Sequence, residues 1–205
     1  MELLRAEPVP LAHELQELYI ETRFIASQNT SIELMNIVLI GFKSAGKSTV
    51  GKPLAEALHW SFVDVDDEIA KIYQKQHNEV LTPREIYVKV GDSTYRVLER
   101  EAVLLVSAME NTVIATGGGT VCDSKNTKCL KQKGIFVFLD ASRETIRERI
   151  IKDPTLSFLN VENDPQAFEQ AFAQRRAIYQ ELADVVIDAS HENTQTLVEE
   201  IMGVL

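Results

Sequence analysis

The chain has 205 residues, of which 45% are hydrophobic and 25% charged, values ordinary for a globular protein with one full core. Its net charge of −10 at pH 7 argues against binding to a nucleic-acid backbone, and no apolar run approaches the roughly 20 residues that a membrane-spanning helix needs. Any anionic ligand of so acidic a protein must be met by local cations, so individual lysines and arginines are informative.

Residues 1–35 are predicted to form a helical N-terminal extension. Five residues in this segment fall close to helical spacing among polar neighbours: Leu11, Leu15, Leu18, Thr22 and Ile25. We expect this helix to pack on its own domain or on a partner subunit rather than to take part in catalysis. Because the segment is acidic and lacks the basic start and apolar middle of a secretion signal, we expect a cytoplasmic protein.

From Asn36 onward, short apolar runs alternate with longer segments of helical character. The runs, each typical of a buried strand, lie at 37–40, 61–65, 113–115, 135–139 and 185–187. This alternation predicts an α/β fold, with a five-stranded parallel sheet flanked by helices. In such folds the ligand sites lie beyond the carboxyl ends of the strands.

The first run is followed by GFKSAGKST, which matches the phosphate-loop pattern G-x-x-x-x-G-K-[ST] between a strand and a helix. Its backbone N–H groups are expected to point at nucleotide phosphates, with Lys47 on the β- and γ-phosphates and the Ser48 hydroxyl on Mg²⁺. The candidate nucleotide-binding residues of the loop are Gly41, Ser44, Ala45, Gly46, Lys47, Ser48 and Thr49. A GTPase is disfavoured because the chain has no guanine-reading Asn-Lys-x-Asp stretch.

The second run leads into SFVDVDDEIA, which places Asp64 and Asp66 on one face if the strand persists. Paired carboxylates beside a phosphate loop either hold magnesium or accept a proton or hydrogen bond from an attacking hydroxyl. The other interpretation is a strand-to-helix turn in which Asp66 or Asp67 caps the next helix. The nearby phosphate loop favours the functional interpretation.

Two helix starts are readable further along the chain. Thr82 before Pro83 and Asp164 before Pro165 each combine an N-cap residue with a proline at the first helical position. The residues that follow each pair are therefore predicted to be helical.

Between those two starts lie a possible ion pair and a glycine turn. Arg96 and Glu99 are three residues apart on a predicted helix, a spacing typical of a surface ion pair. Gly117, Gly118 and Gly119 directly follow the third run. They either let a ligand approach the backbone closely or form a plain tight turn.

Four motifs together resemble the shikimate kinase family: the GxxxxGKST loop, the D-x-D after the second strand, the G-[DE]-x-x-[FY]-R-x-x-E helix and the GGG turn. The resemblance runs from about Asn36 to the C-terminus. It implies a nucleoside-monophosphate-kinase-like P-loop domain over 36–205, with a mobile lid around 150–165. It also implies that ATP, with Mg²⁺, phosphorylates the 3-hydroxyl of shikimate, a step of chorismate and aromatic amino acid biosynthesis.

The resemblance assigns roles on the nucleotide side. Lys47 serves the phosphates as a catalytic residue, and Ser48 and Asp64 serve magnesium. Asp66 contacts the acceptor hydroxyl and acts as the base. Arg149 matches the family's adenine-stacking arginine.

On the substrate side, the resemblance implies that Arg96 and Arg175 bind the substrate carboxylate. Gly117, Gly118 and Gly119 shape the substrate pocket. Arg175 is chosen because RRAIYQELAD resembles the family's R-x-P-L-Y-x-x-x-A-D segment. The chemistry agrees, since a carboxylate is suited to planar, bidentate guanidinium donors.

One position in the lid departs from the family pattern. Asp153 stands where family members carry an arginine that reaches over the transferring phosphate. Three explanations are open: Lys152 substitutes, the lid aligns differently and recruits Arg147 or Arg149, or the enzyme is slow or altered in substrate. Because the other matching residues are retained, we favour an active kinase.

Two other functions are weighed against this one. The first is a related small-molecule kinase, such as a gluconate kinase, and the second is a catalytically weakened nucleotide-binding module that docks through its N-terminal helix. We expect shikimate as the small-molecule partner, no nucleic-acid or membrane partner, and a monomer. Dimerisation or docking through the N-terminal helix is the alternative to the monomer.

Overall fold

Five strands form one parallel sheet in the computed structural model, which describes residues 35–152, 164–190 and 193–205. They are β1 (Asn36–Ile40), β2 (Ser61–Asp64), β3 (Thr112–Ala115), β4 (Gly134–Asp140) and β5 (Val185–Asp188). Their spatial order is β2-β3-β1-β4-β5. Each apolar run in the sequence contains a strand, so the predicted five-stranded parallel sheet is confirmed.

Seven helices lie within the same three ranges. They are α1 (Lys47–Leu58), α2 (Val65–His77), α3 (Pro83–Ser107), α4 (Ser124–Lys131), α5 (Arg143–Lys152), α6 (Pro165–Leu182) and α7 (Thr194–Val204), with a 3-10 turn at Thr120–Cys122. None of these helices combines the length and the apolar character that crossing a bilayer requires. The predicted N-terminal helix and Asp153, with the lid residues after it, lie outside the described residues.

Both predicted helix starts are confirmed. The Thr82 hydroxyl accepts a hydrogen bond from the Glu85 N–H at 3.3 Å, and the Glu85 carboxylate accepts one from the Thr82 N–H at 2.8 Å. The Asp164 carboxylate accepts a hydrogen bond from the Ala167 N–H at 3.0 Å. Such caps satisfy N–H groups that the first helical turn cannot pair internally.

β1 is the central strand, with β3 and β4 paired to its two edges, and it is buried along its length. Ile37, Val38, Leu39 and Ile40 are each at most 1% exposed. A strand covered on both faces reads as a continuous apolar run, which is why this one was recognisable. Each such side chain contributes roughly 1.5–3 kcal/mol relative to an exposed position, so this strand rigidly anchors the loop that follows it.

The second strand ends earlier than its apolar run. β2 stops at Asp64 and α2 begins at Val65, so Asp66 lies in the first turn of a helix and not on a strand. The strand therefore does not persist through Asp66, and the predicted placement of Asp64 and Asp66 on one face of a strand is wrong. Val65 is fully buried, but it is buried as a helical residue.

α3 consists of two helical segments that meet at Gly91. Gly91 has φ 77° and ψ 169°, a backbone conformation that is essentially restricted to glycine. The break separates the segment that begins at Thr82 from the segment that carries Arg96 and Glu99. It thereby sets the direction in which the second segment presents its side chains.

Candidate active site

The loop between β1 and α1 turns through three residues with positive φ: Gly41 at 144°, Ser44 at 67° and Gly46 at 99°. A Cβ atom at Gly41 would lie 2.7 Å from the carbonyl oxygen of Leu139, so only glycine fits there. Gly46 is the N-cap of α1 and has no side chain to cap the helix. The first N–H groups of α1 are therefore open to an anion in the cavity beside the loop.

Lys47 is buried against this loop. Its Nζ donates hydrogen bonds to the carbonyl oxygens of Gly41 and Phe42, both at 2.8 Å, and the residue is 6% exposed. Burial, with a further contribution from the charge of Lys43, lowers the pKa of Lys47 from 10.5 to about 8. An anion nearby would stabilise the charged form of this lysine.

A cavity of about 490 Å³ opens over the loop. Its lining includes Ser44, Ala45, Gly46, Lys47, Ser48, Thr49, Asp64, Asp66 and Arg149. The Arg149 guanidinium reaches from α5 and donates hydrogen bonds to the carbonyl oxygens of Ser44 at 3.0 Å and Ala189 at 3.3 Å. The structure thus gathers the predicted nucleotide-binding residues other than Gly41, including Arg149, around one cavity. Gly41 does not line the cavity, but its carbonyl oxygen accepts a hydrogen bond from Lys47.

The Asp64 carboxylate, at the end of β2, accepts two hydrogen bonds. Its Oδ2 accepts a hydrogen bond from the Ser48 hydroxyl at 2.5 Å, and its Oδ1 accepts one from the Asp66 N–H at 2.9 Å. The cap of α2 is therefore Asp64, and the alternative that Asp66 or Asp67 caps this helix is wrong. Burial raises the pKa of Asp64, against the opposing effect of the Ser48 hydrogen bond.

Ser48 and Asp64 suit a magnesium ion. Both offer hard oxygen atoms, and these lie next to each other beside the loop. Mg²⁺ is commonly bound through one or two carboxylates together with the phosphates of a substrate. The pair is thus a chemically suitable site for Mg²⁺ that enters with a nucleotide.

A second cavity, of about 290 Å³, adjoins the first. Its lining comprises Phe42, Lys43, Asp66, Tyr87, Tyr95, Arg96, Glu99, Gly117, Gly118, Gly119 and Arg175. The structure therefore brings Asp66, both predicted arginines and all three glycines together, although they come from four different parts of the chain. A Cβ at Gly117 would lie 2.8 Å from Asp66 Oδ1, so glycine is needed for this close approach.

Arg96 is held from behind by a buried carboxylate. Its Nη1 donates to Glu99 Oε2 at 2.9 Å and its Nε to Asp92 Oδ1 at 3.3 Å. Glu99 is 2% exposed and also accepts a hydrogen bond from the Thr120 hydroxyl at 2.9 Å. Burial alone would lower the pKa of Arg96, but the two carboxylates raise it. The surface ion-pair interpretation is therefore wrong.

α6 supplies the opposite wall of this second cavity. The Arg175 guanidinium lies over the Phe42 ring, 5.5 Å from its centre, a cation–π arrangement. One turn later, the buried Tyr179 hydroxyl donates a hydrogen bond to the carbonyl oxygen of Gly118. Burial raises the pKa of Tyr179, so this hydroxyl stays protonated and remains a donor.

The residues that line or brace the second cavity also include several that the sequence did not single out: Phe42, Lys43, Tyr87, Tyr95, the buried Glu99 and Tyr179. A signal was nevertheless present for three of them. Tyr95 and Glu99 stand at the [FY] and E positions of the G-[DE]-x-x-[FY]-R-x-x-E pattern, and Tyr179 stands at the Y of the R-x-P-L-Y-x-x-x-A-D pattern. Lys43 stands at a variable position of the loop pattern, where no motif points to it.

Comparison with known sequences identifies one family. The family model described as shikimate kinase matches residues 43–205. A shikimate kinase of Caldanaerobacter subterraneus subsp. tengcongensis is 36% identical over 169 residues, covering 82% of this chain and 95% of the relative. One of Thermodesulfovibrio yellowstonii is 37% identical over 169 residues, covering 82% and 94%.

Solved structures resemble the chain over a similar extent. The shikimate kinase of Acinetobacter baumannii in complex with shikimate has a TM-score of 0.74 and 32% identity, with 83% of this chain and 92% of the other covered. The shikimate kinase of Aquifex aeolicus has a TM-score of 0.67 and 34% identity, with 83% and 95% covered. A gluconokinase from Sinorhizobium meliloti, with a TM-score of 0.51, 19% identity and coverage of 83% and 91%, shows the fold alone. The predicted P-loop kinase fold is confirmed.

Proposed function

The chain belongs to the shikimate kinase family, and from this premise we propose that its two adjoining cavities hold the two substrates of the family's reaction. The protein is an ATP- and Mg²⁺-dependent shikimate kinase of aromatic amino acid biosynthesis that forms shikimate 3-phosphate. In this proposal ATP occupies the cavity over the phosphate loop. Shikimate occupies the cavity between Arg96 and Arg175.

One observation carries this assignment: Asp66 lines both cavities. A hydroxyl that donates a hydrogen bond to Asp66 from the second cavity would therefore lie next to the terminal phosphate in the first. Such proximity and alignment are the main requirements of phosphoryl transfer, in which the protein does little covalent chemistry.

The transfer step follows from this arrangement. The 3-hydroxyl oxygen of shikimate forms a bond to the γ-phosphorus as the bond from that phosphorus to its bridging oxygen breaks, and the bonding electrons leave with ADP. The hydroxyl proton passes to Asp66. Lys47 and the N–H groups at the start of α1 hold the phosphates. Ser48 and Asp64 would hold Mg²⁺, which would neutralise phosphate charge when it is bound.

Recognition of the substrate carboxylate is assigned to Arg96 and Arg175. Glu99 fixes the Arg96 side chain from behind through the 2.9 Å contact, so its remaining N–H donors can face the cavity. Fixed guanidinium donors bind a carboxylate in a planar, bidentate manner. The sugar-acid kinase alternative is disfavoured, because the likeness to a gluconokinase is at fold level while the shikimate kinase relatives are 36% and 37% identical.

We predict that Arg96→Ala lowers kcat/KM for shikimate by about 10–100-fold, since a hydrogen bond to a charged group is worth about 1.5–3 kcal/mol. A coupled assay of ADP release measures this, and KM for ATP is expected to stay near the wild-type value. Arg100→Ala is the matched control, because Arg100 lies on the same helix and pairs with Asp123 at 2.7 Å outside both cavities.

Two outcomes would contradict separate claims. No turnover above the ATP-only background when shikimate is added to the wild type would refute the function. An unchanged kcat/KM for shikimate in Arg96→Ala would refute only the carboxylate assignment.

The extent of the domain, the location and the oligomeric state are also proposals. We propose that 36–205 is the catalytic domain and 1–35 an extension, because the family model begins at residue 43. We further propose that the protein acts as a cytoplasmic monomer. Light scattering of the full chain during size-exclusion chromatography tests the oligomeric state, and a dimer mass would overturn the monomer.

A further inference from the structure

Lys43 lies at the boundary between the two cavities. Among the described residues, Lys43 and Asp66 are the two that line both. Their side chains form an ion pair, with Lys43 Nζ 3.1 Å from Asp66 Oδ2. A cation therefore stands directly beside the carboxylate that is assigned to the acceptor hydroxyl.

The base of the Lys43 side chain is fixed by close backbone packing. A Cβ added to Gly118 would lie 3.0 Å from the backbone nitrogen of Lys43, so the loop and the glycine turn touch here. Gly118 is fixed in turn by the hydrogen bond from Tyr179. The flexible part of Lys43 thus starts from a rigid point, and its side chain is 37% exposed.

The charge of Lys43 also acts on the phosphate side of the boundary. Lys43 lines the first cavity together with Lys47, so both ammonium groups belong to the site over the phosphate loop. An ammonium group has three N–H donors. One of them engages Asp66, which leaves two that can be directed at phosphate oxygens.

In phosphoryl transfer, negative charge spreads over the three equatorial oxygens of the group in flight. Lys47 and the N-terminus of α1 approach this group from the nucleotide side. Lys43 approaches the same region from the acceptor side. A cation placed there would stabilise the charge that the transferring group carries between the two cavities.

We propose that Lys43 is a further catalytic residue, whose ammonium group contacts both Asp66 and the phosphoryl group during transfer and then holds the phosphate of the product. This rests on the proposed placement of ATP and shikimate in the two cavities. The competing explanation is that Lys43 only neutralises Asp66. The two explanations differ in one measurable respect: a lysine that contacts the phosphate distinguishes shikimate 3-phosphate from shikimate.

The test compares Lys43→Met, which keeps the length of an unbranched side chain, with Lys43→Gln and Lys43→Arg in the full chain. Lys75→Met on the exposed surface of α2 is the matched control. Steady-state assays give kcat and both KM values. Calorimetry in the presence of ADP and Mg²⁺ gives Kd for shikimate and for shikimate 3-phosphate.

We expect Lys43→Met and Lys43→Gln to lower kcat by on the order of 10²-fold, as the loss of one charge-stabilising donor does elsewhere. Kd for shikimate 3-phosphate should rise about 10-fold, while Kd for shikimate changes less than about twofold. Lys43→Arg should recover part of kcat, and Lys75→Met should leave every value unchanged.

An unchanged kcat in both neutral variants overturns the proposal. Equal weakening of shikimate and shikimate 3-phosphate also overturns it, because that result assigns Lys43 to Asp66 alone. Absence of turnover on shikimate in the wild-type enzyme would refute the function itself. This outcome is distinguishable from failure of the Lys43 proposal, because it is measured on the wild type without any variant.

Discussion

Lys47 is a buried lysine whose charge is not neutralised by its hydrogen-bond partners. Its ammonium group contacts two loop carbonyl oxygens at 2.8 Å and is shielded from water. Carbonyl dipoles satisfy its hydrogen bonds but do not neutralise its charge, so burial lowers its pKa to about 8. In the proposed complex, phosphate oxygens would supply the missing negative charge, so the free energy of charging this lysine should depend on whether nucleotide is bound.

A pH dependence of nucleotide binding follows. In the free protein Lys47 loses its proton above about pH 8, whereas bound phosphates favour the protonated form and raise its pKa. ADP binding should therefore take up a proton above that pH, and its affinity should fall by up to about tenfold for each further pH unit. Calorimetry of ADP binding without Mg²⁺, in two buffers of different ionisation enthalpy, measures both effects.

Adenosine, which has no phosphate, is the control for the Lys47 prediction and should show no proton uptake. Equal binding enthalpies for ADP in the two buffers at pH 9 would contradict the prediction. The same shift affects folding: the unfolded chain holds the Lys47 proton up to about 10.5, so its contribution to stability rises between about pH 8 and 10.5.

Helix α3 shows how an element can be redirected by one residue. Gly91 divides it into a first segment capped at Thr82 and a second segment that carries Arg96 and Glu99. The first segment buries Ile86 and the second buries Tyr95. The break lets both segments bury apolar side chains while the second one places Arg96 in the lining of the second cavity.

We predict that Gly91→Ala destabilises the fold by about 1–3 kcal/mol, since φ 77° with ψ 169° is strained for any residue with a Cβ. Gly203→Ala in α7 is the matched control, because neither glycine has an atom within 4 Å of an added Cβ. In a helix, alanine is favoured over glycine by up to about 1 kcal/mol, so the control should be neutral or stabilising. Urea unfolding measures both, and equal effects would contradict the prediction.

The boundaries of elements were harder to predict than their existence. The run 61–65 contains Val65, which is apolar because α2 buries it, so hydrophobicity alone extended the strand by one residue. The start of α2 was better indicated by the N-cap residue Asp64 together with the three acidic residues that follow it in the first turn of the helix. Likewise, the spacing of Arg96 and Glu99 predicted that they pair, but it did not indicate that Glu99 is buried and accepts a hydrogen bond from the distant Thr120.

At the scale of the whole molecule, the sheet order explains where the cavities lie. From β1 the chain crosses to the edge strand β2 and returns to β3, and from β3 it crosses past β1 to β4 and then β5. The loops that leave β1 and its neighbours therefore diverge at the carboxyl ends of the strands, which is where open α/β sheets bind ligands. This placement was predictable from the alternating pattern, whereas the ion pair between Lys43 and Asp66 depends on side-chain packing across the whole site.

Binding of the small substrate should stabilise this architecture. We predict that shikimate at 100 times its Kd stabilises the wild type by about 2.7 kcal/mol, or roughly 5–10 °C in Tm. Arg175→Ala should remove most of this shift at the same shikimate concentration. Thermal unfolding followed by circular dichroism measures the shift.

Arg176→Ala provides the neighbouring control for the Tm prediction. Arg176 lies outside both cavities and forms two hydrogen bonds with Asp140, at 2.9 Å and 2.6 Å. Its variant should start from a lower Tm but keep the full shift with shikimate. Loss of the shift in Arg176→Ala, or its retention in Arg175→Ala, would show that the carboxylate binds elsewhere.

The bond from Tyr179 to the carbonyl oxygen of Gly118 has a mechanical consequence. Tyr179 and Arg175 are one turn apart on α6, so the helix carries both the arginine assigned to the substrate carboxylate and the anchor of the glycine turn. A rigid displacement of α6 would move both together and leave the distance between them unchanged. A shift of α6 would therefore alter two sides of the second cavity together, the one that carries Arg175 and the one formed by the glycine turn.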